Sequence, residues 1–405
     1  MNAPRLRFKE FGREWEVKKL GAETTWNSGG TPSKQTDSYW NGDIPWISAS
    51  SMRDFKYFDS DLKITEAGLL NGSKLASKGA LLLLVRGSML FNKIPVGIAT
   101  KEVAFNQDVK SITTKESIKP EFLLYWFLAS ENKLLNMVSG TGIGAGKLDT
   151  QDLLAMDLCI PALPEQTKIA NFLTAIDEKI TQLTQKYDLL KQYKKGVMQQ
   201  IFSQKLRFKD DDGREFPEWE EKQLGDISRN IMYGMNAAAI PFDGKNKYIR
   251  ITDIDDESRS FKPSPLSSPS GNIETKFKMQ IGDIVFARTG ASVGKSYLYN
   301  SEDGNLFFAG FLVKFSISEG NPYFIFLQTL TESYRSWVKV MSMRSGQPGI
   351  NAEEYKDFEI IFPCLAEQTK IANFLTAIDE KITRTQAQLD AVKLYKKGLL
   401  QQLFV

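Results

Sequence analysis

Histidine is absent from all 405 residues. That removes Ser-His-Asp and Cys-His nucleophilic sites, His-ligated metals and the commonest general base. Cysteine is nearly absent: Cys159 and Cys364 make no disulfide framework, so a reducing, cytoplasmic setting is expected. Long apolar runs are missing as well. The longest, Ala80 to Val85, has the length of a strand and is far too short to span a bilayer, so no membrane partner is expected. Residues Met1 to Trp15 are charged and lack an apolar core, unlike a secretory signal. There is no strong charge of one sign either. Fifty-two basic and 49 acidic residues leave +3, which permits nucleic-acid binding without demanding it. The remainder, 42% hydrophobic and 25% charged, is ordinary for a soluble protein long enough for two domains.

What the chain does have is a repeat. Glu165 to Thr181 returns letter for letter as Glu367 to Thr383, 202 positions on. Tyr193-Lys194-Lys195-Gly196 recurs as Tyr395-Lys396-Lys397-Gly398, and Gln199-Gln200 as Gln401-Gln402. A period this long is not a solenoid unit. It means two modules, each ending in the same element.

That element reads as a long helix. Ile169, Phe172, Leu173, Ile176, Ile180, Leu183, Tyr187, Leu190, Val197 and Ile201 recur at steps of three and four, with a gap at Lys194. The second copy has the same stripe, with Thr385 as a polar break. Pro164 suits a first turn. About 40 helical residues reach ~60 Å, the length of a strut rather than of a helix hidden in a small domain. Two such stripes predict an antiparallel coiled coil. Gly196 and Gly398 interrupt both copies at the same place, which suggests a close backbone approach or a bend. Lys191, Lys194 and Lys195 read as a solvated face.

Leu6-Arg7-Phe8-Lys9 at the start matches Leu206-Arg207-Phe208-Lys209 just after the first strut. The order is therefore cyclic, and the termini should lie close together. The fold expected is mixed α/β (α+β): two pseudo-two-fold-related modules separated by two long helices. The boundaries are 1–160 for the first module, 161–205 for the first long helix, 206–363 for the second module and 364–405 for the second long helix. Strands are expected at Ile44–Ile47, Leu81–Arg86, Tyr248–Thr252, Ile284–Arg288 and Phe311–Ser316, and helices at Glu121–Ala129 and Pro322–Leu330. Gly-rich loops, Ser139–Lys147 and Ser345–Asn351, precede the apolar strands before each strut.

Several short motifs imitate known sites. Gly290 to Ser296 resembles a phosphate-binding loop, but three residues rather than four separate its glycines, so it reads as a turn after a strand. Gly142-Ile143-Gly144-Ala145-Gly146 fails the dinucleotide fingerprint in spacing and context. Asn321-Pro322-Tyr323-Phe324 resembles the base-holding motif of amino-methyltransferases but lacks its second proline, and reads as a helix start. Asp210-Asp211-Asp212-Gly213 lacks the later ligands of a calcium loop. No catalytic or metal-binding residues are nominated.

With the paired blocks Pro164–Ala170 and Ala366–Ala372, the apolar strand and proline before each, the Tyr-Lys-Lys-Gly ending and the cyclic order, the chain resembles a specificity subunit of a type I restriction-modification system. The resemblance implies that each module is a target-recognition domain reading one half of a split site in double-stranded DNA. It implies that the long helices set the spacing and dock two methyltransferase subunits, with motor-nuclease subunits joining. AdoMet, ATP and Mg would belong to those partners, and this chain would bind no cofactor and catalyse nothing.

Loops after strands are natural carriers of base and phosphate contacts. The DNA-binding candidates are Arg86, Ser88, Asn92, Lys93 and Lys147 in the first module. In the second they are Arg288, Thr289, Ser292, Lys295, Arg344 and Gln347. Arg86-Gly87-Ser88 and Arg288-Thr289-Gly290 fall at matching places. Tyr193, Gly196, Tyr395 and Gly398 are the partner-binding candidates. The competing reading is a non-enzymatic scaffold or adaptor with two protein-binding modules; salt-dependent DNA binding separates the two.

Overall fold

A computed structural model describes residues 4–142, 144–343 and 348–404. The chain divides into two compact units, Met1–Gln185 with Gln386–Val405, and Lys186–Thr385. Both boundaries fall inside a long helix. These helices, Leu163–Phe202 and Leu365–Leu403, each begin in one unit and end in the other.

The struts are thus part of the cores as well as partners of one another. In the first unit Ile169 and Leu173 from the start of one helix share a core with Leu399, Leu403 and Phe404 from the end of the other. In the second, Ile371, Leu375 and Ile378 share a core with Val197, Met198 and Ile201. The pairing is antiparallel, start against end, in each unit.

The identical block has a structural cause. Glu165 and Gln166 are buried at the helix start. Arg7 donates to both Glu165 oxygens, at 2.7 and 2.8 Å. Gln166 Nε2 donates to the Pro161 carbonyl at 2.9 Å, and its Oε1 accepts from Lys119 N–H at 2.9 Å. The second unit repeats this. Arg207 donates to Glu367, Gln368 Nε2 to Pro363 O at 2.8 Å, and Asn321 N–H to Gln368 Oε1 at 2.8 Å. Phe8 and Phe208 set their rings edge-on against Phe172 and Phe374. Buried polar groups that satisfy one another this fully tolerate little change, which accounts for the Glu-Gln pair that opens each copy of the repeat.

The cyclic order is also built in. Leu206 N–H donates to Gln200 O at 3.1 Å as the chain leaves the first long helix. Leu6 N–H donates to Gln402 O, the equivalent carbonyl of the second, at 2.9 Å. The N-terminal segment therefore follows the second helix in space as residues 205–208 follow the first in sequence.

The first unit holds a five-stranded sheet in the order Thr24–Ser28, Val109–Thr114, Leu81–Leu84, Val96–Ala99, Lys56–Tyr57, antiparallel except at the last pair. Leu81–Leu84 is buried at every position, as a central strand covered on both faces must be. The second unit holds an antiparallel sheet in the order Ser228–Tyr233, Leu312–Ile317, Asp283–Ala287, Ser296–Leu298. A two-stranded ribbon in each unit, Glu16–Lys19 with Asp157–Ile160 and Glu220–Gln223 with Glu359–Phe362, ties the module's first strand to its last.

Two expectations about these elements need correction, and one helix adds to them. The strand expected at Tyr248–Thr252 stops at Ile249, because Asp253 accepts from Arg250 N–H and pairs with its guanidinium, closing a short 3-10 turn. A helix at Glu332–Ser342 was not anticipated, although Thr331 caps it and Tyr334, Trp337, Val338 and Met341 are spaced as one face. Lys194 does not lie on a solvated face. It fills the gap in the apolar stripe, with Nζ 2.6 Å from Asp379.

Candidate nucleic-acid interface

In the first unit, Leu81–Leu84 emerges from the core and continues into a two-residue strand, Arg86–Gly87. That strand pairs with Gly146–Lys147, which pairs in turn with Ser139–Gly140. The register sets Lys147 directly opposite Arg86. Gly146 is required there, since a Cβ would strike Val138 and Leu90. A 3-10 turn, Ser88–Phe91, follows, and the N–H groups of Asn92 and Lys93 both donate to Met89 O at 3.0 Å. All five candidates of this module are exposed and gathered on one small sheet and the turn that leaves it. Lys147 has Asp149 at 3.3 Å, an exposed pair of small energetic consequence. Phe91, 53% exposed, lies on the same turn.

The second unit has the same frame with different contents. Arg288 follows Asp283–Ala287, Thr289 bridges to Gly349, and Ile350 N–H donates to Arg288 O at 2.9 Å. Thr289 and Ser292 are half-buried around the 3-10 turn Gly290–Ser292. The Arg288 guanidinium lies 4.9 Å from the Tyr233 ring centre and 6.0 Å from that of Phe311, and its Nε donates to Gly310 O at 3.0 Å. Tyr233 and Phe311 were not singled out from the sequence. The signal was an aromatic beside glycine at the end of each strand, Tyr233-Gly234 and Gly310-Phe311.

Lys295 behaves otherwise than expected. Its side chain is 8% exposed, with Nζ 3.1 Å from Ile254 O and 2.5 Å from Asp256. It holds the 254–256 loop and is not free to reach a phosphate. Arg344 and Gln347 lie outside the described residues. The Gly290–Ser296 stretch is a turn after a strand, with Gly294 at φ +83 against Val338.

On the long helices, Tyr193 and Tyr395 are more than half exposed. Leu189, Tyr193 and Gly196 fall at steps of four and three, on one outward face. Apart from the helix's own nearby backbone, no atom lies within 4 Å of a Cβ built at Gly196 or Gly398, so of the two alternatives, close approach or bend, the close approach within the chain does not hold. Deeper in, the helix pairing carries a three-residue lock in each unit. Lys396 Nζ sits 2.6 Å from Asp177, which also accepts from Tyr125 at 2.9 Å. Lys194 and Tyr323 donate to Asp379 in the same way. Burial, and then the neighbouring carboxylate, push the Tyr323 hydroxyl's pKa upward.

Among the described residues no group of Cys, Asp and Glu is arranged to hold a metal, and no helix is long and apolar enough to cross a membrane. The family model of the type I restriction modification DNA specificity domain matches residues 12–192 and again 217–394. The EcoR124I/EcoR124II specificity subunit of Escherichia coli is 31% identical over 182 residues, 44% of this chain and 45% of that protein. The MjaIX specificity subunit of Methanocaldococcus jannaschii is 24% identical over 408 residues, 96% of this chain and 93% of that protein. Among solved structures, a type I restriction-modification S subunit from M. genitalium matches with TM-score 0.63 at 14% identity, covering 100% of this chain and 99% of that one. Another, from work on complex assembly and conformational transition of the type I R-M system, matches with TM-score 0.57 at 15% identity and 98% coverage of both. These two likenesses speak for the fold; the doubled domain match, spread over most of the sequence, speaks for the family: the chain belongs to the type I restriction-modification DNA specificity family.

Proposed function

We propose that this chain reads a split DNA site, each module recognising one half, inside a type I modification complex. The observation that carries the reading is one frame used twice. Arg86 and Arg288 leave equivalent buried strands at equivalent places, each beside the Gly-rich segment before a long helix, while the surrounding side chains differ. An identical frame with unlike contents suits two readers of unlike sequences. Arg86, Ser88, Asn92, Lys93 and Lys147 are the contact residues of the first module, and Arg288, Thr289 and Ser292 those of the second. Exposed arginine and lysine supply phosphate and guanine contacts, and asparagine can pair with adenine.

In this reading the long helices hold the spacing between the halves. Their outward face around Tyr193, Gly196, Tyr395 and Gly398 docks two methyltransferase subunits, and motor-nuclease subunits join the assembly. AdoMet belongs to the methyltransferase, ATP and Mg to the motor. The isolated chain has no methylation, nucleotide-hydrolysis or DNA-cleavage activity, and it works in the cytoplasm. The lack of histidine and the reading of the phosphate-loop look-alike as a structural turn support this.

The test is a map of adenine methylation in a host carrying this gene with its methyltransferase, beside a host lacking this gene alone. The expected result is one split motif with a constant unspecified gap, present only in the first host. Exchanging residues 22–155 for another module should change one half of it. Identical methylation in both hosts would replace DNA reading by the scaffold role.

A further inference from the structure

The guanidinium of Arg288 is held in a way that its counterpart in the first module is not. Its planar group lies over the ring of Tyr233, 4.9 Å from the centre, and 6.0 Å from the ring centre of Phe311, and its Nε donates to Gly310 O. The backbone around it is fixed too. Arg288 N–H donates to Phe311 O at 3.1 Å, and Ile350 N–H donates to Arg288 O. Tyr233 is anchored in turn, its hydroxyl accepting from Ala352 N–H at 3.1 Å. The walls meet because Gly234 crosses directly against the Ala309 carbonyl, where any Cβ would collide. Gly310 N–H donates to Met235 O at 2.9 Å across the same crossing.

The two rings are not ordinary core. Phe311 is 60% exposed and Tyr233 42%, a costly display of aromatic surface for a merely structural arginine. Among the described residues no carboxylate is within ion-pair reach of Arg288. Anchoring Nε leaves the two Nη groups as a fork whose plane is set in advance. Stacking on aromatic faces and loss of rotamer freedom before binding are the conditions under which arginine recognises a planar acceptor pair. On the edge of a base pair, that acceptor pair is guanine O6 and N7. Arg86 is exposed and has no such stack among the described residues, so it lacks comparable preorganisation.

We infer that Arg288 is a specificity-determining residue that reads a guanine in the half-site belonging to the second module, with Tyr233 and Phe311 as positioning residues. The inference rests on the DNA-reading function proposed above. Two experiments test it on the complete chain assembled with its methyltransferase. In the first, the half-site that stays constant when residues 22–155 are exchanged is resynthesised with 7-deazaguanine, which lacks the N7 acceptor, at each guanine in turn. One position should weaken binding by roughly tenfold or more. In the second, methylation is mapped for Arg288→Lys, which keeps the charge and loses the fork. The motif should relax at that base pair only, with the other half unchanged, and the 7-deazaguanine effect should vanish. Phe311→Leu should reproduce the relaxation in weaker form. A second-module half without any guanine on either strand, or an Arg288→Lys complex that methylates the unaltered motif, overturns the inference while leaving the split-site reading intact. Absence of any motif dependent on this chain overturns the reading beneath it.

Discussion

At the start of the first long helix, Glu165 receives Arg7 alone, and the indole Nε1 of Trp15 is buried without a partner among the described residues. At the start of the second, Glu367 receives Arg207 and the indole Nε1 of Trp219, at 2.8 Å. The joints otherwise share the edge-on phenylalanines, a Lys–Asp–Tyr lock and a glutamine staple, which in the first joint has one more bond, from Gln166 Nε2 to Ser117 O at 2.8 Å. The reading faces diverge much further. The first offers an open sheet with exposed Arg86 and Lys147, the second an arginine held against two aromatic rings. The contrast teaches where sequence freedom lies. A joint is a closed set of buried donors and acceptors, so a change at one member strands another. A reading face ends in solvent, and its side chains answer to DNA instead of to the fold.

The comparison can be broken most forcefully at the joints. Glu367→Ala leaves a guanidinium and an indole N–H without their acceptor at a fully buried site. It should cost about 3 kcal/mol or more in urea unfolding of the whole chain. Glu165→Ala, with one partner stranded, should cost clearly less. Equal losses would mean that the Trp219 bond contributes nothing and that the joints are energetically identical.

The helix locks come next. Asp177→Asn and Asp379→Asn each remove the charge facing a largely buried lysine, and each should lower stability by about 1–2 kcal/mol. Asp177→Lys combined with Lys396→Asp should recover part of the loss. If the exchange recovers nothing, Tyr125 rather than the ion pair holds the lock.

Gly196→Ala and Gly398→Ala enter open space on a helix and should stabilise the free chain by roughly 1 kcal/mol each. If that face docks the methyltransferase, the same substitutions should weaken assembly, measured by titrating the methyltransferase subunit. Stabilisation with unchanged assembly would separate the glycines from docking. The smallest effect is expected from a circular permutant that joins residue 404 to residue 5 by a short linker and opens in the exposed turn at 210–213. Because Leu6 already bonds the end of the second helix as Leu206 bonds the first, its stability should stay within about 1 kcal/mol of the parent.

Much of this was legible beforehand, and where legibility failed the reason is specific. Under the 202-residue shift the equivalent of Tyr125 is Leu327, yet the hydroxyl that reaches Asp379 belongs to Tyr323, one helical turn earlier. Alignment of the repeats cannot find a substitute that arrives from a different position. Lys295 reads as an exposed basic loop residue, but its ammonium turns inward because the carbonyl of Ile254 and the carboxylate of Asp256 lie within reach. Both depend on residues distant in sequence.

The sequence by itself determined the architecture: two modules, two long antiparallel helices, the cyclic order and the family. Those rest on a letter-for-letter repeat and on a helical period, which are local properties of the chain and survive any detail of packing. The tertiary structure alone decided that each core takes the start of one helix and the end of the other, that Lys194 and Lys396 close the stripe as ion pairs, and that Arg288 lies against Tyr233 and Phe311. Those rings stand 55 and 23 positions from the arginine they hold. A contact of that kind exists only once strands far apart in sequence have been brought side by side.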